Sequence, residues 1–338
     1  MTVSATALLA RLRRDDQAGL SRAISLVENE MPGFEDLLRA ARGRAGAAHR
    51  IGITGPPGAG KSTLTHQLAQ WWRSADRTVG IVAVDPTSPL TGGALLGDRI
   101  RMEGVALDPG VFIRSMATRG ALGGLALATR EVCDLLDAAG FERVVVETVG
   151  VGQSELDVVA AADTVVLVLT PESGDGIQAL KSGLMEVADV FVVNKADRTH
   201  ADRMAREIRM ALELRTPPVT ADHAGWVPPI LLTVADRGEG APELAAAIEA
   251  HHAWLAASGE LARRRRRRAA DQTRSIVERA LVRWARGVPG LAERLADGEA
   301  RVAAGEASAY DVAAEVLELV SRQSRVVSPQ SGRAPGSA

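Results

Sequence analysis

Ile51-Gly52-Ile53-Thr54-Gly55-Pro56-Pro57-Gly58-Ala59-Gly60-Lys61-Ser62-Thr63 decides the architecture of this chain. An apolar, β-prone run enters a turn of three glycines and two prolines. An amphipathic pattern carrying Leu64, Leu68 and Trp71 leaves it. Such a loop has no side chains to set against a core, but its backbone can curl around an anion. Gly55 to Ser62 fits G-x-x-x-x-G-K-[S/T] in full, the pattern in which successive N–H groups cradle phosphate oxygens. The helix that starts near Lys61 aims its positive end at the same oxygens. Lys61 is the expected partner of the β- and γ-phosphates and Ser62 of a Mg²⁺ ion, which points to a bound nucleoside triphosphate. The residues expected to hold it are Gly55, Pro56, Pro57, Gly58, Ala59, Gly60, Lys61, Ser62 and Thr63.

Outward from this loop, apolar runs alternate with helical patterns to about residue 257. The strands are expected at Ile51–Thr54, Val79–Val84, Val111–Arg114, Arg143–Val146, Thr164–Thr170, Val190–Val193 and Ile230–Thr233. Several are apolar almost throughout, as strands buried on both faces are. The alternation predicts an α/β fold: a P-loop NTPase with a doubly wound, mainly parallel sheet. Residues 1–48 form an N-terminal helical extension, in which Leu20, Ala23, Ile24 and Val27 recur at the helical period. Gly43 to Ala48 is a small-residue joint. The NTPase domain covers 49–257 and a helical region 258–326. The Pro/Gly/Ser-rich tail, 327–338, is expected to be disordered.

A second motif selects the base. The strand Val190–Val193 runs into Asn194-Lys195-Ala196-Asp197, an N-K-x-D turn. The Asp197 carboxylate can accept two parallel hydrogen bonds, from N1–H and the exocyclic amine of guanine. Adenine lacks that donor pair and would leave a buried carboxylate unpaired. Lys195 is expected along the face of the base, with Asn194 tying two loops together. GTP and GDP are therefore the expected ligands. After the last strand comes Thr233-Val234-Ala235-Asp236, where GTPases usually carry Ser-Ala. The Ala235 N–H is expected to meet the guanine carbonyl and Val234 stands in place of the Ser, so Val234, Ala235 and Asp236 join the expected nucleotide contacts.

The strand Arg143–Val146 continues as Glu147-Thr148-Val149-Gly150. Glu147 stands where most GTPases have Asp, near Mg²⁺ through a water, and the Gly150 N–H is expected to sense the γ-phosphate. Lys61, Glu147 and Gly150 are the expected catalytic set. Asp85 at a strand end and Asp98 in a loop complete, with Ser62 and Glu147, the hard-oxygen candidates for Mg²⁺. Val151 occupies the position where Ras-like enzymes carry the water-positioning Gln, the nearest glutamine being Gln153, and Arg99, Arg101 and Arg119 lie in the expected switch loops. Slow hydrolysis, accelerated by a partner, is the expectation.

Together GPPGAGKST, VDPTSP (84–89), LGDRIRM (96–102), ETVGVGQSE (147–155), PESGDGIQALKSGLMEVAD (171–189) and NKAD resemble the MeaB/ArgK family. This is the family of chaperone GTPases associated with methylmalonyl-CoA mutase and related acyl-CoA mutases. The resemblance implies a GTP-driven protector of an adenosylcobalamin-dependent mutase, which gates cofactor loading and ejects damaged cofactor. It further implies a homodimer formed through the C-terminal helices, Mg²⁺ among Ser62, Asp85, Asp98 and Glu147, and a partner-reading switch at 171–189. Asp175, Gln178 and Lys181 are the implied polar readers of that switch.

The remaining features narrow the class. A net charge of -2 favours neither nucleic acid nor an acidic membrane surface. The single cysteine, Cys133, excludes an internal disulfide and argues against a metal-delivering GTPase, which needs a Cys/His cluster. It reads as buried filler on an apolar helix face, and the histidines show no metal spacing. The N-terminal apolar stretch is too short for a signal or a membrane span, so a cytoplasmic protein without membrane attachment is expected. Six consecutive arginines, Arg263 to Arg268, read as a solvated helix face, or else as an anchor for a negatively charged partner. A targeting or partitioning NTPase is the competing class, resting on that run alone. Nothing in the residues suggests kinase chemistry on a small molecule.

Overall fold

The computed structural model describes residues 9–86, 103–118, 124–148, 160–171, 183–214 and 225–326. The strands are β1 (His49–Thr54), β2 (Val79–Pro86), β3 (Val111–Thr118), β4 (Arg143–Thr148), β5 (Thr164–Leu169), β6 (Val190–Asn194) and β7 (Ile230–Thr233). They form one seven-stranded sheet in the order β3-β2-β4-β1-β5-β6-β7. Every pairing is parallel. This is the expected architecture, with each anticipated strand present and β3 reaching four residues beyond its predicted end. Sequence neighbours lie to either side of β1, so the strand order switches there. In open parallel sheets the crevice at the carboxyl ends beside such a switch is where ligands bind.

Helices cover both faces. On one face α3 (Lys61–Ser74) and α8 (Ala241–Ser258) bury Leu64, Leu68, Trp72, Leu244 and Ile248 against Ile51, Ile53, Ile81, Val145, Val166 and Val168. On the other, α6 (Leu184–Val187) and α7 (Ala201–Glu213) pack on Leu167, Leu169, Phe191 and Val193. Consecutive residues of β5 thus serve opposite cores, which is why the strand is apolar without alternation. The short α4 (Glu103–Ala106) lies between β2 and β3.

The N-terminal helices are part of this packing. Helix α1 (Gln17–Glu28) buries Leu20, Ala23, Ile24 and Val27, the face expected from the periodicity, and α2 (Phe34–Arg42) buries Phe34, Leu37 and Ala41. Their partners are Val132, Leu135 and Leu136 on α5 (Gly124–Ala138), with Val82, Val144 and Val146 beneath. The joint at 43–48 is pinned by Asp137, whose carboxylate accepts from the N–H groups of Gly46, Ala47 and Ala48 at 2.8, 3.1 and 3.0 Å. Cys133 is fully buried among these residues, and burial pushes its thiol up to about 11. A thiol held protonated in this way is packing material and carries little nucleophilic character at neutral pH.

The chain divides into two compact units, Met1–Ala270 and Asp271–Ala338. Helix α9 (Glu260–Arg286) begins in the first and runs on into the second, which also holds α10 (Leu291–Ala303) and α11 (Ala309–Val326). Within the second unit Gly298 of α10 lets Val312 of α11 approach closely, since a Cβ there would collide with the valine methyls. Arg301 and Glu315 pair across the same two helices at 2.8 Å. Among the described residues no helix is long and apolar enough to cross a membrane.

Candidate nucleotide site at the carboxyl ends of the strands

The Gly-rich loop leaves β1 and closes on the N-terminus of α3. Gly55 (φ +140°) and Gly60 (φ +89°) adopt conformations closed to most L-residues, and each also lacks room. A Cβ on Gly55 would run into the Val168 carbonyl of β5, and one on Gly60 into the Asn194 amide. The glycine spacing of the motif is thus demanded by the neighbouring strands β5 and β6 as well as by the loop. Lys61 lies beneath the turn. Its Nζ donates to the carbonyls of Gly55 and Pro56 at 2.7 and 2.9 Å, so a buried positive charge sits inside the loop. Ser62 Oγ donates to Glu147 Oε1, bringing the end of β4 to the first turn of α3.

The sheet register aligns the remaining acid. Ala83 pairs with Glu147 and Val84 with Thr148, so Asp85 stands one step beyond the end of β4. The side chain of Asp85 and all of Asp98, Gly150, Asp175, Gln178 and Lys181 lie outside the described residues, as do Val151, Gln153, Arg99, Arg101 and Arg119. Two oxygen donors, from Ser62 and Glu147, therefore meet at the loop mouth. Hard oxygen ligands beside a phosphate cradle are the donor set that suits Mg²⁺, which keeps much of its water shell and takes few protein ligands. The described residues hold no cluster of three or more His, Cys, Asp or Glu side chains able to bind a metal.

At the other end of the site, Asn194 is the knot. Its Nδ2 donates to the Ala59 carbonyl at 2.8 Å, and its Oδ1 accepts from Thr233 Oγ1 at 3.0 Å and from the Ala235 N–H at 3.1 Å. The phosphate loop, the end of β6 and the turn after β7 are tied through one buried amide. Sequence reasoning expected two loops and missed Thr233 as a side-chain partner. Its hydroxyl, directly after three apolar strand residues, was the available signal. Lys195 follows with φ +57°, a left-handed turn residue that bends the chain sharply off the strand. Asp197 is exposed at the rim, with Arg237 Nη2 at 3.5 Å from Oδ2. Val234 is buried and its N–H donates to the Glu239 carbonyl at 3.0 Å, so the turn is closed by a backbone bridge without a Ser hydroxyl. Asp236 lies exposed in the 3₁₀ turn Ala235–Arg237.

The arginine run departs from its expected role. Arg266 and Arg267 are exposed, but Arg264, Arg265 and Arg268 reach two fully buried carboxylates, Asp163 and Asp189, in the first unit. A solvated face describes part of the run only. The carboxylates themselves were the missed signal: each is an Ala-Asp pair directly before an apolar strand.

Sheet order, helix-backed Gly-rich turn and the three-loop knot define a class, the P-loop nucleoside triphosphatases. The chain matches, over residues 20–289, the family described as methylmalonyl-CoA mutase-associated GTPase MeaB, and it belongs to that family. A putative GTPase of Pyrococcus horikoshii is 50% identical over 270 residues, covering 80% of this chain and 84% of its own. The mouse protein named methylmalonic aciduria type A homolog, mitochondrial, is 31% identical over 318 residues, covering 89% of this chain and 76% of its own. Among solved structures, one described as LAO/AO transport system kinase aligns with a TM-score of 0.68 at 27% identity, covering 95% of this chain and all of that one. The chain is accordingly a P-loop GTPase.

Proposed function

We propose that this GTPase protects an adenosylcobalamin-dependent acyl-CoA mutase and gates the loading and removal of the mutase's cofactor. The observation that carries this reading is the match to the mutase-associated family across residues 20–289. The mouse relative's name, which refers to methylmalonic aciduria, points the same way.

In this reading GTP lies along the carboxyl ends of β1, β5, β6 and β7. Gly55 to Thr63 hold the phosphates with Lys61 as counter-ion, and Asn194, Lys195, Asp197, Val234, Ala235 and Asp236 hold the guanine. Ser62, Asp85, Asp98 and Glu147 would hold Mg²⁺, which would supply charge neutralisation for the phosphates. Glu147 accepts from Ser62 Oγ, which orients that hydroxyl in the first turn of α3. The Gly150 N–H meets the γ-phosphate, and Asp175, Gln178 and Lys181 read the mutase. Intrinsic hydrolysis is slow because Val151 cannot position water, and the partner supplies the missing contribution. Cellular location is the cytoplasm, where a single reduced cysteine is unexceptional. The protein acts as a homodimer through its C-terminal helices. Supporting this, Val277, Leu281 and Trp284 on α9 are exposed at helical spacing, an apolar stripe that a second copy would cover.

The test is GTP hydrolysis by the purified protein, alone and with candidate adenosylcobalamin mutases, with ATP as control. Stimulation by one mutase and no turnover of ATP is the expected result. GTP binding without stimulation by any mutase leaves the GTPase and removes the client.

A further inference from the structure

Asp163 and Asp189 stand directly before β5 and β6, at the amino-terminal ends of the strands, opposite the nucleotide loops. Both are fully buried. Asp189 receives the Val165 N–H at 2.9 Å and faces His251 Nε2 of α8 at 3.3 Å, and Asp163 receives the Arg50 N–H at 3.2 Å, but the guanidinium groups on both come from one helix. Arg264 bonds Asp189 through both terminal nitrogens, at 2.9 and 3.0 Å. Arg265 and Arg268 take the two oxygens of Asp163, at 3.0 and 2.9 Å. The same guanidinium groups donate to the backbone carbonyls of Gly46, Ala48, Ala162 and Asp163. Burial alone would raise the Asp163 carboxyl; Arg268 and Arg265 outweigh it and hold the group well below the usual carboxylate range.

These contacts matter because of what α9 lacks. None of its 27 residues is buried. Its first turns reach the sheet through part-buried arginines, so charge and hydrogen bonds carry a large share of their attachment. Such a grip differs from an apolar one in how it lets go. Opening it returns three guanidinium groups and two carboxylates to water, and the recovered hydration offsets much of the lost attraction. An apolar contact of similar strength has no such compensation.

We infer that Arg264, Arg265 and Arg268 form a releasable ionic clasp that anchors helix α9 at the amino-terminal ends of β5 and β6 through Asp163 and Asp189. The clasp holds the first turns of the helix that continues into the second unit. Arg266, exposed in the same run, takes no part in it.

Limited tryptic digestion of the full chain, read by mass spectrometry beside hydrogen exchange, tests this. Cleavage within 263–268 requires local opening of α9. Arg264→Gln/Arg268→Gln is expected to be cut there at least about tenfold faster than the native chain, with exchange in β1, β5 and β6 unchanged. Arg266→Gln removes a positive charge and a tryptic site from the same run, and is expected to behave as the native chain. Native cleavage and exchange in the first variant, or equal acceleration in both, overturns the clasp. Should the first variant fail to fold on its orphaned carboxylates, Asp163→Asn/Arg265→Gln/Arg268→Gln removes both partners of that half. It is expected to fold and open α9 faster, and native protection of α9 in it overturns the proposal.

Discussion

Asn194 is a short side chain with a large share of the site's geometry. It spends one donor and both acceptor directions on Ala59 in the phosphate loop and on Thr233 and Ala235 at the turn after β7. Asn194→Ala removes all three bonds and leaves their partners buried. At about 1 kcal/mol net for each, the loss is about 3 kcal/mol, or roughly a hundredfold weaker nucleotide binding. Titration with a fluescent GDP analogue checks this, and circular dichroism establishes that the sheet persists. The same amide explains why Gly60 tolerates no side chain, since the Cβ would sit where Nδ2 lies. The residue types of both motifs were plain from spacing. The contact between Gly60 and Asn194, 134 positions apart, required the sheet to bring β1 and β6 to either side of β5.

At the scale of elements, the N-terminal helices and α8 carry packing that their sequence did not show. Residues 1–48 read as an extension, yet Ile24 of α1 is fully buried in the core that covers one sheet face. Ile24→Ala is expected to cost 2–5 kcal/mol, about the range for truncating a buried aliphatic side chain, measured by urea denaturation. Helix α8 carries the histidines for which no metal spacing exists. His252 stacks on His49 with ring centroids 4.0 Å apart, and His49 Nε2 and His251 Nδ1 share the Thr164 hydroxyl at 2.8 and 2.9 Å. Burial pushes His49 well below its ordinary value, and the neighbouring His252 adds to the shift. Burial likewise lowers His252, with Asp163 and Glu249 opposing and Arg143 and Arg265 reinforcing. The folded state thus binds fewer protons than the unfolded chain. Stability from these groups is complete above the unfolded histidine value, about 6.5, and is lost as pH falls from there toward the lower folded values. Thermal melts across mildly acidic pH are expected to show this decline, and His252→Phe to make it shallower.

For the whole molecule, the two units bury apolar surface very differently. The first sandwiches its sheet between two layers of helices, whereas in the second Val277, Leu281, Trp284 and Leu317 remain exposed. If a second copy covers that stripe, Leu281→Glu/Trp284→Glu yields monomers in sedimentation velocity while the unfolding of the first unit is unchanged. Dimers that survive both charges would remove α9 from the interface.

What the amino-acid sequence determined by itself was whatever short-range chemistry encodes. The phosphate loop, the N-K-x-D turn and the seven strands each lie within a few consecutive residues, where backbone conformation, periodicity and side-chain type act locally. The apolar face of α1 was legible for the same reason, since a helix repeats every 3.6 residues whatever it packs against. The order of the strands, the three-loop knot at Asn194 and the partners of the arginine run were decided only by tertiary structure. Six adjacent arginines have the same pattern on a bare helix as on an anchored one. Only when β5 and β6 lie side by side do Asp163 and Asp189 become a pair of buried charges, and a buried carboxylate demands a partner that a solvated one does not.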